Sequence, residues 1–240
     1  MNKIALITGG VRRLGKDISI SLSEIGYDLI VTYNKSSKAD IDSFKKAVKT
    51  KVDLVKSDVS KVSDIKKLFK HINKNYKSLN LLVNNAGIFR HYDFFEITEK
   101  DFDDFINTNL KGTFFCAQFG AEFMLKTKSE NPQIINLASL GGIQNWTGYI
   151  PYSVSKAGVI KLTQQLAKRL APDILVNSIS PGTIVIENDK NETVNFNEMK
   201  KYPVKKFGEA RDITSLINFL ATENKFITGH NFIVDGGKTL

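Results

Sequence analysis

Two residues of the chain have the types and the spacing needed to move a proton. Tyr152 and Lys156 are four positions apart at the start of a long apolar-periodic run, and positions i and i+4 share one face of a helix. Free tyrosine and lysine titrate near pKa 10 and 10.4, so neither alone transfers protons well at neutral pH. An ammonium about 4 Å from a phenolate contributes on the order of 4 kcal/mol at an effective dielectric of about 20. We therefore expect Lys156 to lower the pKa of Tyr152 into the range of a general acid or base.

A glycine-rich turn near the N-terminus is a candidate phosphate-binding site. It reads Thr-Gly-Gly-Val-Arg-Arg-Leu-Gly over positions 8–15 and follows a short apolar run at 4–7, which is typical of a buried parallel strand. A helical pattern of Ile18, Leu22 and Ile25 comes next. A strand, a glycine turn and a helix start together present backbone N–H groups and a helix dipole to a phosphate. Taken alone, the motif also fits an ordinary glycine-rich turn.

Four further motifs extend this pattern along the chain. They are Asn84-Asn85-Ala86-Gly87, Asn107-Thr108-Asn109, Pro181-Gly182-Thr183, and the closing Thr228-Gly229 with Val234-Asp235-Gly236-Gly237. With the turn and the Tyr-Lys pair, they resemble the short-chain dehydrogenase/reductase family in order and spacing from about residue 3 to the C-terminus. The turn resembles the family's T-G-x-x-x-G-x-G, with Arg13 where the middle glycine usually lies. The resemblance implies a single-domain Rossmann-type α/β fold with a doubly wound, seven-stranded parallel sheet and helices on both faces.

The alternation of short apolar runs with longer helical patterns predicts the same architecture. At 240 residues the chain has an ordinary length for one domain with a substantial core, and we predict a single domain over 1–240. The predicted strands are 3–8, 28–33, 52–56, 79–84, 133–138, 174–179 and 231–234. The predicted helices are 14–25, 38–50, 61–76, 99–107, 110–127, 151–170 and 209–222.

Composition limits the partners and the chemistry. The lysines behind the net charge of +9 are spread over every predicted helix without an arginine-rich stripe, so a solvated surface is favoured over nucleic-acid binding. Met1 leads directly into the first strand and no apolar run approaches membrane-spanning length, so we expect neither a signal peptide nor a membrane partner. The single cysteine, Cys116, suits a reducing cytoplasm and is interpreted as buried filler. His71, His91 and His230 show no ligand spacing, so we expect no metal.

The end of the second predicted strand bears on the choice of nicotinamide cofactor. In a Rossmann-type site, an acidic residue there binds the ribose 2′-hydroxyl of NAD and repels a 2′-phosphate. This strand ends in Tyr33-Asn34-Lys35-Ser36 without a carboxylate, and Lys35 and Ser36 can donate hydrogen bonds to a phosphate. Arg12 lies where NADP-using relatives carry a basic residue. NADPH is therefore favoured over NADH, unless Lys35 and Arg12 belong only to a lysine-rich surface.

The resemblance assigns further cofactor-binding residues by position. Asp58, followed by Val59, matches the Asp that receives the adenine amino group. Asp58 can alternatively cap the next helix, although Ser60 is the better candidate for that cap. The remaining expected cofactor residues are Gly9, Arg13, Leu14, Gly15, Asn84, Asn85, Ala86, Gly87, Tyr152, Lys156, Pro181, Gly182, Thr183 and Ile184. Of these, Asn85 and Ala86 are alternatively only turn residues.

Ketone reduction needs a proton donor, a second donor for the developing alkoxide and a fixed hydride donor. By resemblance, Tyr152 is the proton donor, and Lys156 lowers its pKa and bonds the nicotinamide ribose. Ser139 would supply the second donor at the carboxyl edge of the sheet, where such ligands bind. Asn109 resembles the residue that holds a water in a proton relay, and is otherwise a polar residue of a helix surface.

The substrate is less well defined. Trp146 and Tyr149 are expected to line the substrate pocket with Ser139 and Tyr152, and are alternatively core residues. The segment 184–207 corresponds to the family's substrate lid, and its polar, irregular sequence predicts mobility. Ser139 and the C-terminal pattern resemble 3-oxoacyl-acyl-carrier-protein reductases, and the positive surface suits an acidic acyl carrier protein. The glycine turn and 33–36 resemble pteridine reductases, which commonly carry Asp at the position of Ser139. We favour reduction of a small-molecule ketone or 3-oxoacyl thioester.

Two further expectations concern the oligomeric state of the chain and whether it is an active enzyme. The family resemblance implies a homotetramer with 222 symmetry, in which the predicted helices 110–127 and 151–170 and the C-terminal strand contact partner copies. Four phenylalanines cover more than one face of the first of these helices: Phe114, Phe115, Phe119 and Phe123. A non-catalytic nucleotide sensor is the alternative of another class. It is disfavoured because Ser139, Tyr152 and Lys156 are all present.

Overall fold

The computed structural model describes residues 3–186 and 196–240. Its strands are β1 Ile4–Ile7, β2 Asp28–Tyr33, β3 Val52–Lys56, β4 Leu81–Asn84, β5 Gln133–Leu137, β6 Leu175–Pro181, β7 Ile184–Val185, β8 Gly208–Glu209 and β9 Asn231–Val234. Its α-helices are α1 Arg13–Glu24, α2 Lys38–Ala47, α3 Val62–Asn75, α4 Glu99–Phe105, α5 Gly112–Lys126, α6 Ile150–Leu170 and α7 Ala210–Thr222.

Within the described residues, seven strands form one parallel sheet in the order β3-β2-β1-β4-β5-β6-β9. The predicted seven-stranded parallel α/β fold is confirmed. The direction of strand addition reverses between β1 and β4. A crevice therefore opens at their carboxyl ends, which is where ligands bind to sheets of this type. The glycine turn follows β1, and the Asn-Asn-Ala-Gly motif follows β4, so both motifs lie at this crevice.

The core has two layers because alternate strand residues point to opposite faces of the sheet. Ala5 and Ile7 of β1 pack into a cluster with Ile18 of α1 and Ile217 of α7. Leu6, between them, packs into a second cluster on the other face, built with side chains of α3 and α5. Helices thus cover both faces, which explains why the central strand β1 reads as a continuous apolar run.

The predicted break between two helices near 107–110 does not exist. A π-helical segment, Ile106–Lys111, joins α4 to α5, so the backbone is helical from Glu99 to Lys126. Asn109 lies in this segment and is fully buried. The Asn107-Thr108-Asn109 motif therefore lies in a wider helical turn, a feature that is frequent at functional sites.

Only part of the expected lid, 184–207, belongs to the residues that the structure describes. Residues 187–195 lie outside the described part of the chain. The expectation of mobility rather than packing is wrong for its C-terminal part, where Tyr202 and Phe207 are buried and in edge-to-face contact. Tyr202 also donates a hydrogen bond to Thr183 (2.8 Å) and accepts one from Lys238 (3.1 Å). Two aromatic anchors therefore hold this part against the domain.

Candidate active site

A cleft of about 580 Å³ opens at the carboxyl ends of β1 to β4. We call it the first cleft. It contains the glycine turn, the end of β2 and the turn after β4. Its lining residues are Gly9, Arg12, Arg13, Leu14, Gly15, Thr32, Tyr33, Asn34, Lys35, Ser36, Ser57, Asp58, Val59, Ser60, Asn85, Ala86, Gly87, Ile88, Arg90, Lys100, Asp104 and Thr108. Most of the expected cofactor residues are thereby brought to one place.

The glycine turn has the shape of a cradle that side chains would fill. A Cβ at Gly15 would collide with the carbonyl oxygen of Gly9. Gly9 itself has φ +63°, a left-handed conformation that glycine adopts without strain. Arg13 is also left-handed, with φ 51°, and it occupies the position where the family pattern usually has glycine. A residue with a Cβ is strained there, so the turn keeps its shape at some cost in stability.

Asn85 ties the two halves of the crevice together. Its side-chain amide donates to the carbonyl oxygens of Thr8 (3.0 Å) and Gly9 (3.1 Å). In return, the Thr8 hydroxyl accepts from the backbone N–H groups of Asn85 and Ala86, both at 3.0 Å. Asn84 does not line the cleft as expected. It is buried one position earlier, where its amide donates to the Asn136 side chain at 2.9 Å.

The end of β2 presents cations and hydroxyls to the cleft. Arg12, Tyr33, Lys35 and Ser36 line it, and no carboxylate lies among the described lining residues of the β2 end, 32–36. Such a surface accepts an anion, because Lys, Arg and Ser donate charge-assisted hydrogen bonds to phosphate oxygens.

Asp58 lies in the cleft, but its role as a helix cap is excluded. One carboxylate oxygen accepts from the Ser60 backbone (3.1 Å) and hydroxyl (2.7 Å). The N-cap of α3 is Lys61, which has no side-chain capping bond. Neither Asp58 nor Ser60 therefore caps the helix, and the turn they form leaves Asp58 among the lining residues.

A second cleft of about 410 Å³ continues from the first and shares Arg13, Leu14, Asn85, Gly87 and Ile88 with it. Its other lining residues are Phe89, Leu137, Ala138, Ser139, Trp146, Tyr152, Lys156, Pro181, Gly182, Thr183, Ile184 and Ile186. The three candidate catalytic side chains, Ser139, Tyr152 and Lys156, therefore line the same space as the motif after β6.

The ionisation of Tyr152 differs from the sequence-based expectation. Burial raises the pKa of Tyr152 to about 12, and a side-chain hydrogen bond with Ser139 opposes this rise only in part. Burial also lowers the pKa of Lys156 to about 8. The Lys156 ammonium lies 5.9 Å from the centre of the Tyr152 ring and donates to the carbonyl oxygen of Leu137 at 2.6 Å. The expectation that Lys156 lowers the Tyr152 pKa is thus wrong for this state, because desolvation dominates at both groups.

Asn109 connects the π-helical segment to the loop after β4 and to α6. Its side-chain oxygen accepts from the Ile88 backbone N–H (2.8 Å), and its amide donates to the Ile88 carbonyl oxygen (3.1 Å) and to the Ser155 hydroxyl (3.0 Å). Ser155 in turn donates to the carbonyl oxygen of Tyr152 at 2.7 Å. The alternative of a polar helix-surface residue is excluded by this burial, whereas a water-holding role stays a prediction.

Of the two expected substrate-pocket aromatics, only Trp146 lines the second cleft. Tyr149 lies behind Phe89, against which it stacks with ring centres 4.6 Å apart. Sequence reasoning placed Tyr149 in the pocket and missed Phe89. A signal was available, because Phe89 follows the Asn-Asn-Ala-Gly motif by two positions and must leave the sheet at the crevice.

The comparisons with known proteins agree with this geometry. The sequence profile of the family described as enoyl-(acyl carrier protein) reductase matches residues 10–239. The chain is 37% identical to the 3-oxoacyl-[acyl-carrier-protein] reductase FabG of Staphylococcus epidermidis, over 99% of both chains. The chain belongs to the short-chain dehydrogenase/reductase family. As a member of that family it is an oxidoreductase.

Other relatives and solved structures of short-chain dehydrogenase/reductases cover the chain equally fully. The FabG of Thermotoga maritima is 34% identical over 98% of this chain and 97% of its own. A structure described as ElxO with NADP bound superimposes with a TM-score of 0.90 at 30% identity, over 100% of this chain and 99% of its own. A short-chain dehydrogenase from Burkholderia cenocepacia in complex with NADP gives a TM-score of 0.89 at 27% identity, over 99% of this chain and 98% of its own.

Two negative findings concern the described residues 3–186 and 196–240. There, no group of three or more His, Cys, Asp or Glu side chains could hold a metal ion. No helix in the same ranges has the length and apolar character to cross a membrane.

Cys116 is buried, and burial raises the pKa of its thiol to about 12. A thiol held protonated in this way is not reactive.

Proposed function

We propose that this short-chain dehydrogenase/reductase reduces a ketone to a secondary alcohol with NADPH, and that 3-oxoacyl thioesters are its substrate class, including those carried by an acyl carrier protein. The observation that carries the proposal is the convergence of Ser139, Tyr152 and Lys156 in one cleft that continues into the cation-lined first cleft. The full-length 3-oxoacyl-[acyl-carrier-protein] reductase relatives support the substrate class.

The proton chemistry falls to Tyr152. A phenol with a pKa of about 12 is protonated at neutral pH, which is the form that a proton donor to a ketone oxygen needs. The Ser139 hydroxyl, in hydrogen-bond contact with Tyr152, supplies a second donor where negative charge develops on that oxygen. A cation next to a phenolate favours the charged form, so Lys156 would stabilise Tyr152 after it has given up its proton.

The first cleft fits a nicotinamide dinucleotide. The crowded glycine turn lets backbone approach a pyrophosphate at the start of α1, and NADPH when bound supplies the hydride. Arg12, Lys35 and Ser36 would hold the 2′-phosphate. Support for NADPH over NADH comes from the lack of a carboxylate in the described β2 end and from the NADP-bound neighbours.

A pteridine reductase-like enzyme is the second candidate, favoured by Arg13 in the glycine turn, where it lines both clefts. Against it, no carboxylate lines the described part of the second cleft, and Ser139 stands where pteridine reductases commonly have Asp. A cytoplasmic location, suggested by the single cysteine, and the homotetramer both stay predictions.

The test is a substrate panel with NADPH and NADH: an acetoacetyl thioester, a dihydropteridine, diketones and sugars. We expect NADPH oxidation to be fastest with the acetoacetyl thioester. Turnover confined to the dihydropteridine would establish the second candidate. Tight NADPH binding without turnover of any ketone would make the chain a nucleotide sensor and overturn the proposal.

A further inference from the structure

Phe89 presents an exposed aromatic ring to the second cleft. It lies in the loop after β4, lines the second cleft and is 56% exposed. Its ring is parallel to that of Tyr149, with an interplanar angle of 6° and centres 4.6 Å apart. Because Tyr149 covers one face and the Tyr152 ring also contacts Phe89, the exposed area belongs to the part of the ring that these two side chains leave open.

The position of Phe89 is fixed from behind. His91 and Trp146 contact Tyr149 edge-on, with ring centres 5.2 Å and 6.0 Å away. The backbone N–H of Tyr92 donates to the carbonyl oxygen of Gly148 at 3.0 Å, which joins the two loops that carry these rings. A ring held in this way presents a preorganised surface, which costs little ordering entropy when a ligand binds.

Phe89 and Trp146 flank the catalytic phenol. The Phe89 ring is nearly perpendicular to that of Tyr152 (75°, centres 4.8 Å apart), and the Trp146 ring is nearly parallel to it (12°, 6.4 Å). The indole N–H of Trp146 already donates to Gln144 at 3.2 Å, so the indole offers mainly apolar surface. A ketone oxygen that reaches the Tyr152 hydroxyl therefore brings its substituents against aromatic rings.

We propose that Phe89 determines substrate specificity by selecting 3-oxoesters or thioesters whose ketone carries a flat hydrophobic ring; this rests on the proposed function. A substrate ring gains offset stacking and apolar burial against Phe89. A methyl group at the same carbon has too few atoms to make that contact. The reaction is unchanged: hydride is added to the ketone carbon and a proton to its oxygen, and NADPH is oxidised.

The test compares ethyl benzoylacetate with ethyl acetoacetate, which differ only in phenyl against methyl at the ketone. The measured quantity is the ratio of their kcat/KM values in wild type and variants, so that intrinsic reactivity cancels. We expect Phe89→Ala and Phe89→Leu to reduce this ratio at least about tenfold, mainly through the KM of the benzoyl substrate. Phe89→Tyr keeps the ring and should keep the ratio. Phe95→Ala, at a residue that is 93% exposed and outside the second cleft, is the matched control.

Phe89→Leu keeps apolar volume, so the test does not depend on the folding of the Ala variant. An unchanged ratio in Phe89→Leu, or an equal loss for both substrates, would overturn the inference while leaving the proposed function intact. The proposed function fails separately if wild-type protein oxidises NADPH with neither ester nor any thioester.

Discussion

The ammonium of Lys156 donates a 2.6 Å hydrogen bond to the carbonyl oxygen of Leu137, the last residue of β5. This bond holds the ammonium of Lys156, a residue of α6, against the carboxyl end of the central sheet, away from water. Because desolvation disfavours the charged form, a buried ammonium of this kind loses its proton at a lower pH than an exposed one.

Because burial lowers the pKa of Lys156, the free energy of unfolding of the protein should depend on pH. The pKa of Lys156 is lowered from 10.5 to about 8, so between these values the unfolded chain holds a proton that the folded chain has released. Stability then rises with pH, because the unfolded state binds more protons. Between about pH 8 and pH 10, the free energy of unfolding of wild type should rise by roughly 2 kcal/mol relative to that of Lys156→Met. Urea unfolding of both proteins at several pH values measures the difference. A difference that does not change with pH would contradict it.

The catalytic assignment predicts opposite patterns for two substitutions. Tyr152→Phe should retain cofactor binding but lower turnover at least about 10²-fold, because general acid catalysis contributes that much. Lys156→Ala should lower turnover and weaken cofactor binding together, since one ammonium is expected to serve both. Steady-state kinetics and cofactor titration with each variant separate the two patterns. Near-normal turnover by the Phe variant with a good substrate would refute the role of Tyr152.

Cofactor preference should depend on the cations of the first cleft. Lys35→Ala and Arg12→Ala should each weaken NADPH binding about tenfold or more, because a charge-assisted hydrogen bond is worth about 1.5–3 kcal/mol. NADH binding should hardly change, and Tyr33→Asp should invert the preference. The NADPH advantage should shrink with added salt, because these groups lie at an open cleft.

Lys38→Ala is the matched control for that series, because it removes the same charge three residues beyond Lys35 without touching the cleft. Fluorescence titration of both cofactors against all variants gives the affinities. If wild type binds the two cofactors equally, or if Lys35→Ala loses NADH as well, the basic residues are only surface charge.

The left-handed conformation of Arg13 predicts an unequal effect of two small residues. Arg13→Gly and Arg13→Ala both remove the guanidinium, but only glycine accepts φ 51° without a Cβ clash. The Gly variant should therefore be more stable than the Ala variant by about 1 kcal/mol. Thermal or urea unfolding decides it. Equal stabilities would mean that the turn relaxes when the arginine is lost.

The predicted homotetramer rests on fewer exposed rings than the sequence indicated. Phe123 is buried, and Phe115 and Phe119 pack inward towards Phe69. Phe114 remains 38% exposed on α5. A contact of α5 with a partner copy would bury it, so Phe114→Glu should dissociate the tetramer, whereas Ile25→Glu at the end of α1 should not. Light scattering at micromolar concentration checks both. A wild-type monomer of 26.9 kDa would refute the assembly.

The sequence predicted the positions of all seven strands of the parallel sheet because each contains a short run of apolar residues, and β1 and β4, in the centre, are largely apolar and almost wholly buried. The resemblance to the short-chain dehydrogenase/reductase family placed the candidate catalytic serine, tyrosine and lysine in one site, and the structure brings them to one cleft. The sequence could not predict how far Tyr152 is desolvated, because burial depends on rings from the loop after β4. It also missed that the predicted helices 99–107 and 110–127 are continuous, since the π turn that joins them is held by contacts of Asn109 with Ile88 and Ser155 that are distant in sequence.

A π turn contains one residue more than an α turn, and this has a consequence for how the chain tolerates changes in length. Deleting a single residue between Ile106 and Lys111 would leave α4 and α5 with the right number of residues for one uninterrupted α-helix. Because the π turn accommodates the extra residue locally, residues beyond Lys111 would keep their facing relative to α4, whereas residues inside the segment would change theirs. The domain could keep its secondary structure while Asn109 rotated away from Ile88 and Ser155. The extra residue is thus not needed to form a helix, but it sets the direction in which the side-chain amide of Asn109 points.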